Sequence, residues 1–345
     1  MADILTRIDG RAGRITLNRP QALNALSPEM SVALEEALIG WAADPAVALV
    51  LIDAAGDRAF CAGGDIAQVY AEGRAGSSAG ARAFWRQEYR MNARLAEYPK
   101  PVVSLMQGYT MGGGVGVGCH GHPRVVSETA QVAMPECGIG LIPDVGGSYL
   151  LARAPGHLGD FLGLTGHRMG PADAILAGFA DYFVPEAEWP ALKAELAATG
   201  ELAALKRAAR VPPLGKLEAE LIEIETIFSA PTLAEIVARL QASGSAFAAA
   251  ALKVIGRNSP LSMLCTLALV RAQRAAPALR AALQAEYRFS HRAVERSDLL
   301  EGIRAAVIDK DRQPHWRLIG AEAEARAAEM LAPLGPEELH FGEEK

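Results

Sequence analysis

The chain has 345 residues, half of them hydrophobic and 21% charged, which suits one large α/β domain or two modest ones and is too apolar for a disordered polymer. A formal net charge of −6 offers no basic footprint for nucleic acid or an anionic lipid surface. The four cysteines (Cys61, Cys119, Cys137, Cys265) form no CxxC pair, and no run approaches the ~18 apolar residues of a membrane span, so the expectation is a cytoplasmic protein with reduced thiols and no membrane contact.

Residues 4–17 carry two short apolar stretches about Asp9-Gly10 and Ala12-Gly13, a hairpin pattern ended by Asn18-Arg19-Pro20. Ser27 as N-cap and Pro28 at the first helical position open a helix that runs to about Ala43. VALVLID (47–53) is a β-branched run of the kind that forms a strand buried on both faces. The glycine-rich FCAGGDI follows, then a small, polar segment (71–82) that reads as a mobile surface loop, then a helix from about Arg82 to Glu97. Pro99 and Pro101 frame the strand VVSLMQG; Met111-Gly112-Gly113-Gly114 and a short apolar stretch end at Pro123. This order of strand, turn, helix and strand predicts an α/β fold with parallel strands. From about Glu186 the chain turns Ala-, Leu-, Arg- and Glu-rich with helical spacing, so the expected division is an α/β core over 1–205 and a helical region over 206–345. No sequence repeat stands out.

Three motif matches fail on context. Gly76-Ser77-Ser78-Ala79-Gly80 fits the nucleophile-elbow pattern but lacks the buried strand that must precede it. Gly116-Val-Gly118-Cys-His-Gly121 fits a dinucleotide fingerprint, yet Pro123 and the strand-like RVVS leave no room for the helix that would hold a pyrophosphate. His120 and His122 share a face only on a strand, and no second ligand cluster stands at zinc-like spacing, so no metal is expected.

Two glycine clusters carry more. Phe60-Cys-Ala-Gly-Gly-Asp65-Ile66 and Gly108-Tyr-Thr-Met-Gly112-Gly113-Gly114 each follow a strand, and glycines let a ligand approach backbone N–H groups. Two such groups from two loops are a usual construction of an oxyanion hole; the alternative is a pair of tight turns. Downstream, Glu136 and Asp144 flank an apolar Gly/Pro-rich turn. Carboxylates in such surroundings are candidates for proton transfer, although Asp144 could equally cap a helix beginning near Val145.

The motifs LNRPQALNAL, FCAGGDI, GYTMGGGVG, MPECGIGLIPDVGGSYLLAR and LTGHRM, in this order, resemble the crotonase (enoyl-CoA hydratase/isomerase) superfamily over Leu17 to about Val184. The resemblance implies a spiral of strand–turn–helix units that binds acyl-CoA thioesters. Matched motif by motif, it implies an oxyanion hole from the N–H groups of Gly64 and Gly113. It also implies substrate or CoA contacts at Ala62, Gly63, Asp65, Ile66, Gly112 and Gly116. Hydratases of the family carry a first glutamate at the position held here by Gly116. Their second glutamate matches Glu136, and Asp144 stands where they usually have glycine.

That departure is similar to the 3-hydroxyisobutyryl-CoA hydrolase branch. Phe84-Trp-Arg-Gln-Glu88-Tyr89, Glu286-Tyr-Arg-Phe-Ser-His-Arg and the stretch from Leu300 to Trp316 extend the likeness over nearly the whole chain. The implied reaction is hydrolysis of a short β-hydroxyacyl-CoA, with Glu136 and Asp144 as catalytic carboxylates and CoA as part of the substrate rather than a cofactor. Hydration or isomerisation on the same fold, or non-catalytic acyl-CoA binding, are the alternatives. The resemblance leaves room for a homo-oligomer, the superfamily often forming trimers.

Overall fold

The computed structural model describes residues 2–317 and 320–342. Strands β1 (Ile4–Asp9) and β2 (Ala12–Leu17) form the expected hairpin, with Ile4 opposite Leu17 and Asp9 opposite Ala12. The turn places Gly10 at φ +58°, a conformation that suits glycine. Helix α1 (Pro28–Ala42) starts where its cap predicts: the Ser27 hydroxyl accepts from the Met30 N–H at 3.2 Å. Strand β3 (Leu49–Ala54) is buried along nearly its whole length.

Strand β4 (Ala59–Cys61), helices α2 (Ile66–Arg74) and α3 (Ala79–Ala96), and strands β5 (Val102–Met106) and β6 (Tyr109–Met111) come next. The short helix α4 (Gly113–Gly118), strands β7 (Arg124–Val126) and β8 (Gln131–Ala133), helix α5 (Gly147–Ala152) and strand β9 (Tyr182–Phe183) follow. Later named elements are helical. The expected mobile loop over 71–82 does not form. Residues 71–74 complete α2, and α3 begins at Ala79. Ser78 is buried and donates to Glu295 at 2.7 Å, while Arg82 donates to the His291 carbonyl, so contacts remote in sequence order a stretch whose local composition suggested freedom.

The chain forms two compact units. One takes Met1–Gly64, Gln87–Ala133 and Arg168–Gly215; the other takes Asp65–Arg86, Met134–His167 and Lys216–Lys345. Among the described residues the strands lie in the first unit, in a six-stranded sheet of order β1-β2-β3-β5-β7-β9 and a three-stranded sheet of order β4-β6-β8. Among the strands of the described residues β1 and β2 pair antiparallel and the other strand pairs are parallel. The chain therefore alternates between sheets, β3 to β4, β5 to β6 and β7 to β8, which generates a spiral. Leu49, Leu51, Val103, Leu105 and Val125 form one core with Trp189, Leu192 and Leu196 of the helix Trp189–Thr199. Val50, Ile52 and Val102, at alternate positions, are buried as well, as parallel strands covered on both faces require.

Among the described residues the second unit has only helical elements. Its core holds Phe228, Leu261, Phe289 and Ile303. No described helix is long and apolar enough to cross a membrane.

Candidate active site

In the first unit, the parallel pair β4 and β6 ends in the two glycine clusters side by side. Leu23 and Asn24, both with positive φ (52° and 54°), turn the preceding chain back over β4. The Asn24 amide donates to the Ala55 and Ala59 carbonyls, at 2.9 Å each, and its Oδ1 accepts from the Arg19 N–H. The Ala62 N–H donates to Leu23 O, and the Leu26 N–H to Gly63 O. This bracing explains the LNRPQALNAL motif physically: it holds the Ala62-Gly63-Gly64 loop. Gly63 adopts φ +125° and Gly112 φ +49°. The Val115 and Gly116 N–H groups both bond to Gly112 O; none of these bonds uses the N–H of Gly64 or Gly113.

The loops meet closely. A Cβ built on Gly113 would lie 3.2 Å from the Gly64 nitrogen and 2.7 Å from Glu88 Oε1. A Cβ on Gly114 would lie 2.1 Å from the Cys61 carbonyl oxygen. Gly116 is buried in α4, so the matching hydratase position presents no carboxylate. Glu88, only 2% exposed on α3, lies beside Gly113; the sequence marks its segment but not this placement. Burial, with the Glu88 charge adding to it, pushes the Cys61 thiol up to about 12.

In the second unit, Glu136 opens a 3₁₀ turn (Glu136–Ile139) and is 5% exposed; Asp144, eight residues on, is 4% exposed. The turn is clamped by the C-terminal helices. A Cβ on Gly140 would lie 2.7 Å from the Asp298 backbone, and one on Gly302 2.0 Å from Ile139 O. The Ser259 N–H donates to Cys137 O, and the Asn258 amide to Leu164 O. The Cys137 thiol, donating to Gly163 O and beside Thr266, is pushed up to about 12 by burial.

Helix α5 begins at Gly147 with Gly146 at its cap position, so Asp144 is not its N-cap residue. The carboxylate at its start is Glu286, from the helix Leu279–Arg296. It accepts from the Gly146 N–H at 2.7 Å, from the Ser148 N–H at 2.9 Å and from the Ser148 hydroxyl at 2.5 Å. Burial, with the Asp144 charge adding to it, pushes the Glu286 carboxyl up to about 7 against the opposing hydrogen bonds. The motif Glu286-Tyr-Arg-Phe-Ser-His-Arg marks this segment in the sequence without showing the contact.

The residues of the discounted motifs make other contacts. Ser78 bonds to Glu295 at 2.7 Å, His122 Nδ1 lies 3.1 Å from Asp181, and β7 follows α4 within a few residues. Among the described residues no group of three His, Cys, Asp or Glu side chains could hold a metal ion.

The spiral of paired strands is the crotonase fold, and the chain belongs to the enoyl-CoA hydratase/isomerase family, whose model matches residues 12–331. It is similar to 3-hydroxyisobutyryl-CoA hydrolase, mitochondrial, of Gallus gallus, at 39% identity over 98% of this chain and 91% of that protein. It is also similar to 3-hydroxyisobutyryl-CoA hydrolase, mitochondrial, of Homo sapiens, at 40% identity over 91% and 84%. Among solved structures it resembles an enoyl-CoA hydratase from Rhodobacter sphaeroides 2.4.1 (TM-score 0.94, 56% identity, 99% of this chain and 100% of that one). A carnitinyl-CoA dehydratase from Mycobacterium thermoresistibile is similar too (TM-score 0.94, 42% identity, all of both chains).

Proposed function

We propose that the protein hydrolyses a short β-hydroxyacyl-CoA thioester, 3-hydroxyisobutyryl-CoA, to 3-hydroxyisobutyrate and CoA, as a step of valine degradation. The observation that carries this reading is the carboxylate pattern: glycine at 116, where family hydratases hold their first glutamate, with buried carboxylates at 136 and 144. Curated relatives 39–41% identical over most of the chain, described as 3-hydroxyisobutyryl-CoA hydrolases, support it.

In this reading the N–H groups of Gly64 and Gly113 bind the thioester oxygen as it gains charge, each donor contributing ~3 kcal/mol to the lowered barrier. Ala62, Gly63, Asp65, Ile66, Gly112 and Gly116 line the path of the acyl-CoA. Glu136 acts nearest the carbonyl, as nucleophile or as base for water, and Asp144 orients water or binds the β-hydroxyl. The reaction needs no metal or redox cofactor, since CoA arrives with the substrate. The proposal places the protein in the cytoplasm without nucleic acid partners, consistent with four buried, free thiols and an acidic chain. Self-association into a homo-oligomer belongs to the proposal as well.

The description of the Rhodobacter structure favours a second reading, hydration of an enoyl-CoA with Glu136 as the acid/base. Incubation with 3-hydroxyisobutyryl-CoA and crotonyl-CoA, with a thiol reagent reporting free CoA and ultraviolet absorbance reporting loss of the double bond, separates the two. The expected result is rapid CoA release and slow hydration. Glu136→Gln should lower kcat at least ~10²-fold with KM nearly unchanged, and Asp144→Asn should slow the reaction too. Faster hydration than hydrolysis, or full activity in both variants, overturns the reading.

A further inference from the structure

We propose that Glu286 is a positioning residue: it holds the Val145–Gly146 turn in left-handed backbone and so sets where the Asp144 carboxylate stands. The inference rests on the reading of Asp144 as part of the catalytic machinery. Its basis lies wholly within the helical unit.

The turn after Asp144 is costly on local grounds. Val145 has φ +53° and Gly146 φ +80°. Glycine takes this region readily, whereas a β-branched residue clashes with its own backbone there. Such a conformation persists only where surrounding contacts over-determine it. The Gly147 N–H closes the turn on Asp144 O at 2.6 Å. Successive N–H groups in a turn of this kind converge on an anion. Here the acceptor is built into the fold: both oxygens of Glu286 are engaged, Oε2 by Gly146 and Oε1 by the N–H and hydroxyl of Ser148.

The carboxylate that does this cannot move far. Glu286 is fully buried, and Ala282, Leu283, Phe289 and Ser290 on its helix are buried around it. Burial and the like charge of Asp144 oppose ionisation here while the bonds from Gly146 and Ser148 favour it, so the carboxyl, pushed up to about 7, holds the turn most strongly above neutral pH. A charged acceptor bonds the turn more strongly and takes two donors side by side. Glutamine offers one acceptor and turns an N–H₂ group toward a donor, so Glu286→Gln keeps the volume and loosens the turn.

The test is a double-mutant cycle in the full chain, reading kcat and KM for CoA release from 3-hydroxyisobutyryl-CoA, with circular dichroism to confirm folding. Glu286→Gln should lower kcat at least ~10-fold with KM within ~3-fold, and Ser148→Ala, which deletes one of the three bonds, by a few-fold. Because both act through Asp144, each effect should shrink below ~2-fold in an Asp144→Asn background. If Glu286→Gln does not fold, the Ser148→Ala cycle carries the same comparison. Single variants with unchanged kcat, or double variants showing the product of the single effects, overturn the inference while leaving the function standing. Full activity in Asp144→Asn alone overturns the reading of Asp144, and the inference with it.

Discussion

A methyl group at Gly113 would press on the end of the Glu88 side chain, whereas one at Gly114 would press on the Cys61 carbonyl of a buried strand. The first contact is with the far end of a side chain and the second with backbone. Gly113→Ala should therefore fold with a melting temperature within a few degrees of the parent but lose CoA-release activity by ~10-fold or more, because the added carbon lies 3.2 Å from the Gly64 nitrogen. Gly114→Ala should lose stability outright, by several kcal/mol in urea titration, as expected where backbone must shift. The thiols call for the opposite outcome. Cys61 and Cys137 are pushed up to about 12 by burial, so at neutral pH they are neutral and poorly nucleophilic. Cys61→Ala, Cys137→Ala and Ser78→Ala should each keep kcat within a few-fold. A loss of several hundredfold in a folded variant would instead revive thiol or serine catalysis.

Among the elements, the three-residue strands β4, β6 and β8 do the placing of the glycine loops. Strands so short have little stability of their own, and β4 borrows it from Asn24. Asn24→Ala removes three hydrogen bonds made by one buried side chain, two as donor and one as acceptor, and replaces a residue that tolerates positive φ. At ~1 kcal/mol per bond the variant should lose roughly 3 kcal/mol of stability, with a matching fall in kcat/KM if the loop loosens. Urea midpoints and CoA-release rates measured together check both parts. An unchanged midpoint would show that the loop is held by its backbone bonds alone. Helices α3 and Leu279–Arg296 show a second device, a glutamate on the apolar stripe: Glu88 stands four residues after Phe84 and one before Tyr89, and Glu286 three after Leu283 and three before Phe289, all buried.

Over the whole chain, the segment carrying Glu136 and Asp144 belongs to the same compact unit as the C-terminal helices. Gly140 packs on Asp298, Gly302 on Ile139, Asn258 bonds to Leu164 and Glu286 bonds to Gly146 and Ser148. A chain ending at residue 205 retains Gly64, Gly113, Glu136 and Asp144 yet loses every one of those partners. It should release no CoA above background and show no cooperative melt for the 134–167 segment, measurable by hydrogen exchange. A folded, active fragment would show instead that the first 205 residues are self-sufficient.

Much of this was legible in the sequence because it depends on neighbours in the chain. The hairpin follows from its turn, α1 from Ser27-Pro28, and β3 from an unbroken β-branched run. The glycine clusters and the Glu136–Asp144 turn stood out by residue type, with tight turns and a helix cap as their alternatives. What needed the tertiary structure depends on partners remote in sequence. Residues 71–82 read as loop because their order comes from Glu295 and His291. The strands β4, β6 and β8 are too short for a period to show. Glu88 and Glu286 entered only as members of stretches that resemble the hydrolase branch, with no role attached. Only the packing of those helices reveals that one carboxylate lies beside Gly113 and the other at the start of α5, because burial is a property of the folded chain and not of any residue in it.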